Sequence, residues 1–426
     1  MRKKHWMLLP LLPLLLLGLV GCAAPYQPQT EVTSKTLAVK PIPALPEDFI
    51  LGMDLSSVLS EEESGVRYYD FAGRETDVFK LMRDCGLTHV RIRVWNDPFD
   101  AEGHAYGGGN CSPERAVQIG KRAAAYGLKL IVDFHYSDFW ADPGKQTPPK
   151  AWQGMDIEEK TQALYDFTRE TLQRFRAADV DVAMVQVGNE TNRFLCGETT
   201  WYHIQRLLQA GSKAVREVFP QALVAVHFSN PEKAGTYREY AERLDEYGVD
   251  YDVFASSYYP FWHGTLENLS ALLTEIAQTY GKKVIVMETS YAYTAEDSDF
   301  FANTVGADSA LDKPYPYSVQ GQADALWDVI DTVARIPGGM GVAYWEGAWI
   351  SVGGTSWEEN RTLWERYGSG WASVYAADYD PDAGRYYGGC AVDNQALFDP
   401  EGHPLESLKL FGLLCSGNEI ATEPDD

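Results

Sequence analysis

Short apolar runs, most of them rich in β-branched residues, recur along the chain and alternate with longer segments in which apolar positions follow helical spacing. The runs span 49–56, 88–95, 128–135, 182–190, 222–228, 253–259, 283–290 and 341–346, and their continuous apolar character predicts strands buried on both faces. Between them the pattern predicts helices over 76–85, 113–126, 157–178, 199–218, 231–247, 265–280 and 319–335. The third run is preceded by a well-marked helix, with Ser112 as N-cap, Pro113 at its first position and Gly127 just past its end. Eight strands alternating with seven helices predict an α/β chain folded as a single (β/α)8 barrel with extended βα loops.

A barrel of this kind gathers its functional groups at the C-terminal ends of the strands. The polar residues at those ends are Asp54, Arg91, Arg93, Asp133, His135, Asn189, Glu190, His227, Tyr258, Glu288 and Glu346. A buried carboxylate without a partner is costly, so acids gathered there need a reason. Glu190 closes the fourth run and Glu288 the seventh, which sets them on opposing sides of one barrel mouth. Two convergent carboxyls suit glycosidic bond hydrolysis, one donating a proton and the other attacking or activating water. Asn189 is placed to bind a sugar hydroxyl, Arg91 or Arg93 to hold Glu288 as an anion, and Tyr258 to hydrogen-bond it. The alternative is a set of salt bridges between these acids and arginines at the rim. His135, His227 and His263 are open between sugar contact and structural roles.

Composition narrows the ligand. A formal net charge of −25 argues against nucleic acid and anionic polymers. Twelve Trp and 25 Tyr recur in stretches such as "FHYSDFW", "SYYPFWHG" and "YWEGAW", and flat rings that also offer a hydrogen bond suit neutral sugars. There is no H-E-x-x-H for metal hydrolysis, no G-x-S-x-G and no phosphate-binding glycine loop.

The N-terminus is basic, then apolar, and ends "LVGC" at Cys22. This ending resembles a bacterial lipobox, which predicts a signal peptide over 1–21, lipidation of Cys22, and localisation at the outer face of a bacterial membrane. Residues 22–47 are expected to form a flexible tether, 48–416 the barrel and 417–426 an acidic tail. Beyond Cys22 five cysteines remain, without C-x-x-C spacing, so neither a zinc site nor a disulfide framework is implied. A monomer is expected.

Eight motifs in order, "GMDLSSV", "HVRIRVWNDP", "DFHYSDFWADPGKQTPPKAW", "VQVGNET", "SSYYPFWHG", "VMETSYAYT", "YWEGAWI" and "DNQALFD", resemble those of the arabinogalactan endo-β-1,4-galactanases, glycoside hydrolase family 53. The resemblance spans roughly 49–415 and implies a retaining, endo-acting enzyme on plant galactan that needs no cofactor for catalysis. It further implies Glu190 as proton donor and base, Glu288 as nucleophile, Asn189 on the 2-hydroxyl and Tyr258 orienting Glu288. His135, Trp95, Asp138, Trp345 and Trp349 would line the groove. It also implies a structural calcium in the loop after the seventh strand, where "DSDFFAN" offers Asp297, Asp299 and Asn303. Phe301 stands there in place of a family histidine, with acids such as Asp380 available to complete the shell. Two rivals remain: a mannanase, xylanase or cellulase on the same barrel, and a lipid-anchored sugar-binding protein of two hinged lobes.

Overall fold

A computed structural model describes residues 26–27, 32–43, 45–354 and 356–420. Cys22 and the expected signal segment lie outside these residues. Strands β1 (Ile50–Asp54), β2 (His89–Val94), β3 (Lys129–Phe134), β4 (Val182–Val187), β5 (Leu223–Phe228), β6 (Val253–Ser257), β7 (Lys283–Thr289) and β8 (Gly339–Tyr344) pair in parallel, each with the next, and β8 closes onto β1. All eight expected strands are present, so the two-lobed alternative is excluded. Helices α1 (Val58–Glu63), α2 (Val78–Asp84), α3 (Pro113–Ala125), α4 (Ile157–Ala177), α5 (Trp201–Val218), α6 (Thr236–Glu246), α7 (Leu266–Tyr280), α8 (Val319–Ala334) and α9 (Trp357–Tyr367) follow in the loops and the outer layer. The first and last of these were not foreseen from the sequence.

Local chemistry sets the helix starts. The Ser112 hydroxyl accepts from the Arg115 N–H ahead of Pro113, and Asp156 with Glu159 closes a reciprocal capping box at the start of α4. A large apolar mantle fills the space between strands and helices. The barrel lumen is divided differently. Ile50, Ile131, Met184, Ala225, Val253, Ala255, Ile285, Met287 and Ala343 pack an apolar plug, while Arg91, Asp133, Gln186 and His227 crowd the end toward the strand C-termini. Hydrophobic burial stabilises the lower layer, and the upper layer carries a buried charge network.

Part of the expected tether is docked rather than free. In the segment expected to be a free tether, Leu37, Val39 and Ile42 are buried, and Val39 exchanges backbone hydrogen bonds with Asn418 at 2.9 and 2.7 Å. Apolar side chains among the prolines and threonines are enough to dock this segment against the last residues of the chain. The five cysteines among the described residues are unpaired, four of them buried.

Candidate active site

The cleft over the strand C-termini is lined by Glu190, Glu288, Asn189, His135, Arg93, Trp345 and Trp349 from the expected set. Its cavity holds about 320 Å³ and draws in Trp140, Tyr259, Trp262, His263 and Trp371 as well. Glu190 and Glu288, nearly 100 residues apart in sequence, thus face one cavity.

Their surroundings differ. Glu288 Oε1 lies 2.9 Å from Arg91 Nη2, and its Oε2 accepts the Tyr259 hydroxyl at 3.0 Å. Burial raises the Glu288 pKa, and the Arg91 guanidinium and Tyr259 pull it back toward the ionised form. Glu190 has no cationic partner among the described residues. Burial pushes its pKa up to about 8, the charge on Glu288 adds to the rise, and hydrogen bonds from Ser257 and Ser229 oppose it. Both carboxyls are raised by burial, but Glu288 has a guanidinium that favours its ionised form while Glu190 keeps its proton near neutrality, an asymmetry that suits separate nucleophile and proton-donor roles.

The tyrosine expected on Glu288 is displaced by one residue. Ser257 at the end of β6 reaches into the barrel mouth, and two residues on, Tyr259 shares that face. Tyr258 falls on the other face, where its hydroxyl donates to the Gly264 carbonyl at 2.9 Å. The register of β6 against β7 also shifts between Ser256 and Ser257, so Ser257 pairs with Glu288 and both are aimed at the mouth.

Several other expectations need correcting. Arg93 does not hold Glu288; its guanidinium sits 2.5 Å from Glu346 Oε1, close to Asp54, and over the Trp140 ring at 4.4 Å. Trp95 is fully buried behind the cleft and donates its indole N–H to His135 Nδ1 at 3.1 Å. Asp138 is likewise buried away from the cleft, where it ties Lys150 and the Asp97 backbone together. Their motif identified the right loop, but the loop folds back and spends these groups on itself. Trp349 touches the cavity yet has no exposed surface; it packs behind Trp140, at 6.1 Å between ring centres.

Trp140 and Trp371, stacked at 4.4 Å with 7° between planes, form the aromatic wall instead. Trp140 lies inside the quoted "FHYSDFW", so its motif was visible; Trp371 carries no sequence signal and enters only through the long loop after β8. Asn189 is fixed by its neighbours. Its Oδ1 accepts from Arg91 and Gln186 at 3.0 Å each, and its Nδ2 donates to the Ala141 carbonyl, leaving one amide hydrogen uncommitted. His135 Nε2 lies 3.1 Å from Asp133.

On the loop after β7, Asp297 and Asp299 do come together, joined by Asp393, with one oxygen of each within 4.8 Å of the others. Asn303 stands beside Asp393, and its Oδ1 and Asp393 Oδ1 are buried without a hydrogen-bond partner. Asp380 is elsewhere, paired with Lys145 at 2.8 Å, and the Phe301 ring packs against Trp364. Orphaned hard oxygens around two buried carboxylates fit a calcium ion.

A closed barrel with two differently tuned glutamates in an aromatic cleft defines a glycoside hydrolase of the (β/α)8 class. The chain belongs to glycosyl hydrolase family 53, whose profile matches residues 50–411. It is 54% identical over 392 residues to the endo-beta-1,4-galactanase of Bacillus subtilis (strain 168), covering 91% of each chain. It is 37% identical to the arabinogalactan endo-beta-1,4-galactanase of Cellvibrio japonicus, over 76% of this chain and 85% of that one. Among solved structures, the Ignisphaera aggregans GH53 catalytic domain superposes with a TM-score of 0.79 at 36% identity, covering 89% of this chain and 99% of that one.

Proposed function

We propose that this chain is an endo-acting, retaining β-1,4-galactanase that cuts the galactan of plant type I arabinogalactan into oligosaccharides. Two carboxyls facing one aromatic cleft, one beside a guanidinium and one among neutral hydroxyls, carry this assignment. The galactan specificity draws on the names of the relatives.

In the first step the Glu288 carboxylate attacks the anomeric carbon, and the bond to the leaving sugar oxygen breaks as Glu190 gives that oxygen its proton. In the second, Glu190, now ionised, takes a proton from water as the water oxygen displaces Glu288. Asn189 offers its spare amide hydrogen to the 2-hydroxyl, and Trp140, Trp345 and Trp371 offer ring faces to the sugar chain. Asp297, Asp299, Asp393 and Asn303 would hold a structural calcium that fixes the loops bordering the cleft. Lipidation at Cys22 would keep the enzyme at the outer membrane surface as a monomer.

Unbranched β-1,4-galactan, mannan, xylan and cellulose incubated with the wild type should yield reducing ends from galactan alone. Glu190→Gln and Glu288→Gln should each lower turnover by roughly 10⁴-fold or more. NMR should show the β-anomer released first. Galactan bound without turnover, or near-normal rates in either variant, would reject the assignment. Mass spectrometry of the N-terminal peptide from wild type and Cys22→Ser tests the anchor.

A further inference from the structure

We propose that Ser257 and His227 form a positioning relay that fixes which oxygen of Glu190 faces the glycosidic bond; this rests on Glu190 being the acid/base. The Ser257 hydroxyl donates to Glu190 Oε1 at 2.6 Å, and His227 Nε2 lies 3.0 Å from the same hydroxyl oxygen. Both side chains are fully buried, so no bulk water competes for these bonds.

The direction of the relay follows from the far side of the imidazole. The backbone N–H of Glu190 points at His227 Nδ1, 3.3 Å away. Asn189 Oδ1 is also near that nitrogen, at 2.9 Å, but already accepts hydrogens from Arg91 and Gln186. With both lone pairs of Asn189 Oδ1 engaged, Nδ1 serves as acceptor for the chain N–H. The imidazole hydrogen is then on Nε2 and is given to Ser257 Oγ. Ser257 has one proton, and the remaining direction for it is Glu190 Oε1. Oε1 thus stays an acceptor in both protonation states, and the catalytic proton resides on Oε2.

One imidazole therefore holds Glu190 twice, by its main chain through Nδ1 and by its carboxyl through Ser257. That matters because Glu190 has φ of +43°, a left-handed conformation that non-glycine residues adopt at a cost. Burial and the neighbouring Arg91 keep His227 neutral, with its pKa well below the usual histidine range, so the relay does not itself titrate across the working range. The titratable groups around His227 are Arg91, Asp133 and His135. Around Glu190 they are Glu288 and Asp142, with Tyr237 and Tyr259 also close.

Ser257→Ala, Ser257→Thr and Glu190→Gln, compared on galactan and on a dinitrophenyl β-galactobioside whose leaving group needs no proton, test the relay. Ser257→Ala should lose roughly 10- to 100-fold in kcat/KM on galactan, the range for a hydrogen bond to a charged group, and under about 3-fold on the activated substrate. Its basic pH limb should move to higher pH, because a donor that favours ionised Glu190 is gone, and Ser257→Thr should restore both. Nitrogen-15 NMR of the wild type should show His227 protonated at Nε2. Equal losses on both substrates, an unmoved basic limb, or a proton on Nδ1 would overturn the relay. If Glu190→Gln itself cleaves galactan, the acid/base assignment falls and the relay with it. If Glu190→Gln is inactive and Ser257→Ala loses equally on both substrates, the relay alone falls.

Discussion

The Arg91 guanidinium joins Glu288, Asp133 and Asp54 at 2.9, 2.9 and 3.1 Å, and none of its surface is exposed. Three carboxylates around one cation make its removal expensive, since the survivors would be buried charges stripped of their shared guanidinium. Arg91→Met is expected to lose about 3–5 kcal/mol in urea unfolding. Arg91→Lys keeps the charge but not the forked geometry. Because Arg91 lowers the Glu288 pKa, the acidic limb of kcat/KM should move to higher pH in the lysine variant. An unmoved limb would detach Arg91 from Glu288.

Adjacent tyrosines give a paired comparison. Tyr259 donates to Glu288, whereas Tyr258 donates to a backbone carbonyl on the far face. Tyr259→Phe should lower kcat on galactan by about 10-fold, within the range for a hydrogen bond to a charged group. Tyr258→Phe should leave kcat within about 2-fold, its lost bond showing as a small drop in thermal midpoint. The reverse ranking would restore the assignment made from sequence.

Glu190 titrates at about 8 when folded, against an ordinary value of 4.5. Activity that needs its proton should fall above about pH 8. The same shift links to stability. A carboxyl whose pKa is raised on folding binds more protons in the folded state between those values, so stability is lost as pH rises through that window. Glu190→Gln should therefore gain on the wild type by at least ~1 kcal/mol between pH 5 and pH 8, since each pKa unit is worth ~1.4 kcal/mol. Denaturant unfolding at the two values measures this.

Asp297, Asp299 and Asp393 converge beside an orphaned asparagine oxygen. Adding calcium to chelator-treated enzyme should raise the thermal midpoint by several degrees, and Asp393→Ala should abolish the response. A midpoint insensitive to calcium in the wild type would mean that these acids serve the loop without an ion.

Glu61 on α1 is fully buried without an ion-pair partner among the described residues, and only a backbone hydrogen bond from Ile350 favours its charged form. Burial, with Glu346 and Asp299 adding to it, raises its pKa well above the usual carboxylate range. Glu61→Met should be stabilising by roughly 1 kcal/mol, since a buried carboxyl with one hydrogen bond is replaced by an apolar side chain, with the advantage growing from pH 5 to pH 8. A loss of stability on calorimetry would show that the carboxyl has a role that a thioether cannot fill.

The elements were legible because their signals are local. Strand period, β-branched content and caps such as Ser112–Pro113 are decided by neighbours in sequence, and they placed all eight strands. The loops were less readable. Asp138 and Trp95 sit in conspicuous motifs, yet the folded loop directs them inward to Lys150 and His135, a choice made by distant backbone. The docked segment around Val39 was missed because its partner, Asn418, is almost at the other end of the chain.

By itself the sequence determined the barrel, the acids ending β4 and β7, and the aromatic character of the mouth, since periodicity and residue type suffice for these. Which tyrosine meets Glu288, which arginine holds it and which oxygens gather on the loop after β7 were decided only by tertiary structure. Those outcomes turn on strand register and on side-chain direction, where one residue of displacement moves a group to the opposite face.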